Sequence, residues 1–254
     1  MSTDDETHHE SIAVDTATTQ TFVERYAWPP RSAFAHTPCY CEENVAHLLA
    51  WLAPNASGLL SLFSSPSPSE RPLPQALLPA RVHLFAVFLS NATQRTPVWR
   101  QRAGSGSEGK VCWDYHVIAA ARVTSSDLCH HDLVLDLDST LPFPCDAELY
   151  VREALRPHAV ASSAWTRTVP AAQFLLEFAS DRRHMRMQPV SGGAGWLAPP
   201  PKTAPWRGSA ADGAHNLERW LKMSTVGEGG VPGHVCPAAG WLSALDTLCE
   251  GSPG

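Results

Sequence analysis

Apolar positions along the chain alternate between two periods. From residue 42, Val45, Leu48, Leu49 and Leu52 fall on one face at helical spacing, which predicts a helix that Pro54 closes. Apolar runs of strand type follow at residues 82–89, 96–100, 111–123 and 132–138, separated by Gly/Ser-rich or polar breaks, and predict an antiparallel sheet. Helical spacing returns at 146–155, with Leu149, Tyr150, Val151 and Leu155 as buried positions, and again at 171–178 and 214–223. A helix, then a meander of strands, then further helices is the pattern of an α+β fold.

The remaining segments lack a period. Residues 1–30 end in Trp28-Pro29-Pro30 and predict a flexible N-terminal tail. Residues 57–79 are rich in Ser, Pro and Leu and read as a surface insertion in a single catalytic domain spanning 31–254. Residues 191–213, with Gly192-Gly193, Pro199-Pro200-Pro201 and two tryptophans, predict a long irregular loop over the sheet. No repeat period is visible.

Composition narrows the function. With 254 residues, 44% of them hydrophobic, the chain can bury one sizeable core. A formal net charge of −6 and the lack of a Lys/Arg-rich stripe argue against nucleic acid as a partner. The apolar runs fall far short of the roughly 20 residues that cross a bilayer, so no membrane span is expected. Asp4, Asp5, Glu6, His8, His9 and Glu10 stand where a secretory signal would be basic and then apolar. Seven cysteines at irregular spacings fit a reducing compartment, so a cytoplasmic or nuclear monomer is the expectation. On that expectation the glycosylation patterns at Asn55 and Asn91 are incidental.

One constellation carries chemistry. Cys41 stands immediately before the helix, where unpaired N–H groups and the helix dipole favour a thiolate, although Glu42 and Glu43 would oppose it if close. His116 lies in the run 111–123, and the next strand ends in Asp136-Leu137-Asp138. A hairpin centred near Ser126 would set His116 opposite Asp136, with Asp114 and Asp138 on the same face. Cysteine, histidine and aspartate in this order match thiol acyl-transfer sites of the papain and transglutaminase type. Two alternatives remain open: another thiol acyl-transfer enzyme, or a non-catalytic zinc-stabilised module using Cys39 with Cys41, Cys112 with His116, and Cys129-His130-His131. The latter spacings match no common zinc module, so neither a metal nor an organic cofactor is expected. Gly227-Glu228-Gly229-Gly230 lacks the ending of a phosphate loop and reads as a turn.

Four blocks occur in a characteristic order: Cys39-Tyr40-Cys41-Glu42-Glu43-Asn44, Trp113-Asp114-Tyr115-His116-Val117, Asp136-Leu137-Asp138 with Leu141-Pro142-Phe143-Pro144-Cys145, and Phe178-Ala179-Ser180-Asp181-Arg182 with His184-Met185. Together they resemble the protein N-terminal glutamine amidohydrolase family, from about residue 38 to about residue 235. Further similarity lies at residues 86–91 and at Trp196 with Pro199-Pro200-Pro201. The resemblance implies a papain-like or transglutaminase-like α+β fold. It also implies hydrolysis of the side-chain amide of N-terminal glutamine in proteins or peptides, giving glutamate and ammonia within the N-degron pathway. It places the nucleophile at Cys41, the base at His116 and the orienting acid at Asp136. Cys112 departs from the small aliphatic residue usual before the Trp-Asp-Tyr-His block. Reading a free α-ammonium needs a carboxylate, for which Asp138 and Glu43 are the candidates.

Overall fold

The computed structural model describes residues 28–62, 79–125, 130–158, 164–187, 195–224 and 231–250. Helix α1 (Cys41–Leu62) precedes β1 (Pro79–Ser90), β2 (Thr96–Val98), β3 (Val111–Trp113), β4 (His116–Ser125), β5 (His130–Leu135) and β6 (Cys145–Asp146). Then come α2 (Ala147–Tyr150), which widens into a π turn at Val151–Leu155, β7 (Trp165–Pro170), α3 (Ala171–Glu177), α4 (Leu217–Trp220), β8 (His234–Pro237) and α5 (Trp241–Glu250). Six strands form one antiparallel sheet in the order β6-β5-β4-β1-β7-β8, and β2 pairs with β3 separately. The architecture is α+β, as the pattern predicted.

The sheet is covered on both faces, so the paired centres of β1 and β4 run continuously apolar, at 84–89 and 117–121. On β4, Val117, Ala119, Ala121 and Val123 pack with Val45, Leu48, Leu49 and Leu52 of α1, Phe174 of α3 and Trp220 of α4. Ile118 and Ala120 point the other way, to Tyr150 of α2 and to Trp241 and Leu245 of α5. Side-chain alternation thus divides one strand between two cores. The small alanines at 119 and 121 leave room for α1 to lie close against the strand.

Several boundaries differ from those expected. Helix α1 runs on through Pro54 to Leu62, taking in the start of the segment read as an insertion over 57–79. Proline at that point removes one backbone donor, but the preceding turns are already fixed by burial of Val45 to Leu52 against the sheet. The rest of that segment up to residue 78 lies outside the described residues, as do the tail before Trp28 and the glycine-rich turn at 227–230. The run 111–123 is two strands, broken at Asp114 and Tyr115. Strands β7 and β8 and helix α5 were not anticipated. β7 sits beside β1 in the middle of the sheet although its sequence, Trp-Thr-Arg-Thr-Val-Pro, carries an arginine. Buried Arg167 is accommodated because its guanidinium donates to the carbonyls of Trp220, Lys222 and Pro232. Among the described residues no helix is long and apolar enough to cross a membrane.

Candidate active site

The helix-start block explains itself residue by residue. Asn44 clamps the preceding turn, accepting from Thr37 N at 2.9 Å and donating to Thr37 O at 2.8 Å. Cys39 takes the left-handed conformation this turn requires, with φ of 68°. Tyr40 is fully buried and donates to Ala198 O, and Cys41 opens the helix with its side chain almost wholly enclosed. Glu43 is equally buried, and each of its oxygens receives a 2.7 Å hydrogen bond from Arg182. Arg182 also donates to Pro201 O and Thr203 O, tying the helix start to the proline-rich loop.

β4 begins at His116, in register with Leu89 of β1. The hairpin ladder sets Ala119 against Leu135, so the register differs from the expected one by one position on each strand. Continuing it would set Asp136 opposite Ile118 and diagonal to His116, and the even offset leaves both groups on the same face. The diagonal contact forms: His116 Nε2 lies 3.1 Å from Asp136 Oδ1. Trp113 stacks on the imidazole with ring centroids 5.5 Å apart.

Asp136 is buried and saturated. Oδ1 also accepts from the Asp138 amide at 2.9 Å, while Oδ2 accepts from Tyr150 Oη at 2.8 Å and Gln101 Nε2 at 3.1 Å. Burial pushes its carboxyl up, but the charge and hydrogen bond of His116, with the Gln101 and Asp138 donors, outweigh that and hold it at about 2. For His116, burial opposes the charge, and Asp136 and Asp138 together hold the imidazole above its ordinary value.

Cys41, His116 and Asp138 line one cavity of about 200 Å³ with Cys39, Trp113, Asp114, Tyr115 and Met185. That is smaller than the roughly 300–1,000 Å³ of sites for drug-sized ligands and suits a single side chain. The exposed Cys112 is not among its lining residues. Burial, then Glu42 and Asp138, push the Cys41 thiol well up, opposed by the backbone N–H of Val117. The site therefore favours a thiol over the preformed thiolate expected at a helix start. Asp138 stands at the cavity wall with Oδ1 held 2.7 Å from His36 Nε2. Glu43 faces Arg182 instead of the cavity, and both its oxygens are occupied.

The donors of the zinc reading are not brought together among the described residues. The ligand atoms that do converge belong to His116, Asp136 and Asp138, within 4.8 Å of one another. They include no thiolate, and both Asp136 oxygens are already occupied by hydrogen-bond donors. His130 and His131 line a different cavity, with Asp132 and Asp246.

Sequence reasoning missed the residues that surround and support Cys41, His116 and Asp136. Tyr115, Arg182 and His184 stand inside the family blocks, so their positions were marked but their roles were not. Gln101 and Tyr150 lie outside every block and look like ordinary strand-end and helix-core positions.

A family model described as N-terminal glutamine amidase matches residues 36–244. A protein N-terminal glutamine amidohydrolase of Arabidopsis thaliana is 40% identical over 195 residues, 75% of this chain and 76% of the relative. Relatives of the same name from Oryza sativa subsp. indica and Drosophila melanogaster are 39% and 36% identical, covering 76% and 83% of this chain and 74% and 87% of their own lengths. The matched span takes in the helix start, the β4 histidine and the carboxylate after β5, and the chain belongs to the N-terminal glutamine amidase family.

Proposed function

We propose that this chain hydrolyses the side-chain amide of an N-terminal glutamine, giving glutamate and ammonia, with Cys41 as nucleophile, His116 as base and Asp136 as orienting acid. Family membership supports the activity. The observation that supports the residue assignment is the cavity shared by Cys41 and His116, behind which Asp136 holds the imidazole.

His116 takes the Cys41 proton as the sulfur attacks the carboxamide carbon, which avoids a free thiolate in the buried resting site. N–H groups of the first turn of α1 have no intrahelical acceptors and receive the developing oxyanion. The imidazolium then protonates departing ammonia. Water, activated by the same imidazole, cleaves the thioester. Asp136 keeps the ring in one tautomer and stabilises its charged form throughout. Asp138, on the cavity wall, is the group we assign to the substrate α-ammonium, with Asp114 the neighbouring carboxylate. No step calls for a metal or cofactor. The three catalytic groups come from one chain, consistent with a monomer acting on protein or peptide N-termini, in a papain-like or transglutaminase-like variant of the α+β architecture.

The test is ammonia release and mass change on a peptide beginning with Gln, beside its N-acetylated and N-terminal Asn counterparts. A gain of about 1 Da on the free-Gln peptide, lost in Cys41→Ala and kept in Cys39→Ala, supports activity and assignment together. No conversion by folded wild type overturns the activity, and full activity in Cys41→Ala overturns the nucleophile.

A further inference from the structure

The block that carries Cys41 sets a second carboxylate against it. Glu42 is fully buried, and its Oε2 lies 3.8 Å from Cys41 Sγ and 3.1 Å from the Tyr115 hydroxyl. Its Oε1 receives no hydrogen bond among the described residues and stands 3.4 Å from His184 Nε2, which is also 3.2 Å from the Tyr115 hydroxyl. On its outer side His184 stacks on His215, with centroids 5.5 Å apart. His215 is in turn held by Glu218 at 3.0 Å and Asp181 at 3.4 Å. A polar relay thus runs from the thiol to the surface.

A carboxylate this close to a buried thiol makes loss of the thiol proton harder unless a cation offsets it. Arg182, the other cation nearby, is committed to Glu43. We propose that Glu42, Tyr115 and His184 set the charge around the nucleophile, with protonated His184 neutralising Glu42 so that Cys41 can release its proton. This rests on Cys41 as the nucleophile. Glu42 touches the reacting sulfur, whereas His184 and Tyr115 act through it as positioning residues. Burial disfavours the charged form of His184, but Glu42, then Glu218 and Asp114, hold it above the ordinary histidine value. The carboxylates facing this unit are Asp114 and Asp138 from the cavity side and Asp181 and Glu218 from the surface side. As pH rises and His184 loses its proton, Glu42 is left uncompensated and thiol ionisation is delayed further.

The experiment measures the pH dependence of Cys41 alkylation by iodoacetamide, read by peptide mass spectrometry so that Cys39 is scored separately. The full chain is used as wild type, Glu42→Gln, His184→Asn, the double variant and Tyr115→Phe. Glu42→Gln is expected to move the midpoint to lower pH and speed Cys41 alkylation about tenfold at neutral pH. His184→Asn and Tyr115→Phe slow Cys41 alkylation at neutral pH, below the point where His184 loses its proton, and His184→Asn does less in the Glu42→Gln background than alone. An unchanged or raised midpoint in Glu42→Gln, or an equal effect of His184→Asn in both backgrounds, overturns the proposal. If Glu42→Gln does not fold, a neutral-pH alkylation rate that stays put in both His184→Asn and Tyr115→Phe overturns it as well. Alkylation reads the thiol without substrate, so failure here and absence of amidohydrolase activity are separate results.

Discussion

Tyr150 donates its phenolic hydrogen to Asp136 Oδ2 at 2.8 Å, from a helix on the face of the sheet opposite α1. The orientation of the β4 histidine is therefore set from beneath the sheet, while Cys41 arrives from above it. Gln101 completes the support at 3.1 Å.

Removing this support should slow the chemistry without loosening substrate binding. Tyr150→Phe keeps the buried ring and loses only the donor, so kcat is expected to fall about 10- to 100-fold with KM little changed, as for other residues that orient a reactive side chain from behind. Steady-state kinetics on a Gln-initiated peptide checks this. A selective rise in KM would place Tyr150 in substrate binding instead.

Asp136 also gives the fold a pH signature. Its carboxyl is depressed from 3.8 to about 2, so its contribution is fully present above the unfolded value and is lost as pH falls through the folded one. That amounts to about 2–3 kcal/mol, counted once for the coupled pair. His116, raised from its ordinary value, contributes the same pairing at the other end: present below 6.5 and lost as pH rises through its folded value. Urea unfolding of wild type and Asp136→Asn should show the stability gap closing between about pH 4 and about pH 2. A gap that persists unchanged to the acid end would show that the carboxylate is not ionised in the fold.

Much of this was legible in the sequence, and the parts that were not share a cause. Cys41, His116 and Asp136 were readable because a helix start and strand alternation are local signals, and the two-residue slip in register kept its parity. Strand β7 was missed because Arg167 breaks the apolar pattern, and its acceptors lie more than fifty residues away in sequence. Pro54 looked like a helix end because local propensity favours that, but burial of the preceding turns against β4 overrides it. Glu43 looked available to substrate because the partner that occupies it, Arg182, is 139 positions away.

That partner makes Glu43 a stability residue. The pair is almost wholly enclosed, with side chains 7% and 1% exposed. Arg182→Met leaves the Glu43 carboxylate buried and uncompensated and deprives two loop carbonyls of a donor, so a loss of about 3–5 kcal/mol is expected. Adding Glu43→Gln should recover part of it, since the stranded charge is then gone. Chemical denaturation of the two variants decides. A double variant no more stable than Arg182→Met alone would mean that the loop contacts at Pro201 and Thr203, and not the ion pair, carry the energy.

On the proposed reading Asp138 gives selectivity for a chain terminus, and its backbone and side-chain roles can be tested apart. Its amide N–H donates to Asp136 Oδ1, and that bond belongs to the backbone, so Asp138→Asn leaves it in place. His36 Nε2, 2.7 Å from Oδ1, can still donate to the new carboxamide oxygen. What the substitution removes is a negative charge on the cavity wall. A charged hydrogen bond to an ammonium is worth about 1.5–3 kcal/mol, so kcat/KM on the free-Gln peptide should fall about 10- to 100-fold. The slow rate on the N-acetylated peptide, which has no charge to lose, should change only as far as loss of the Asp138 charge alters His116 and Cys41, a change both peptides share. Discrimination between the two peptides then collapses toward unity. Retained discrimination in Asp138→Asn would move the ammonium to Asp114, which lines the same cavity and whose Oδ1 accepts from the Tyr115 amide at 2.9 Å.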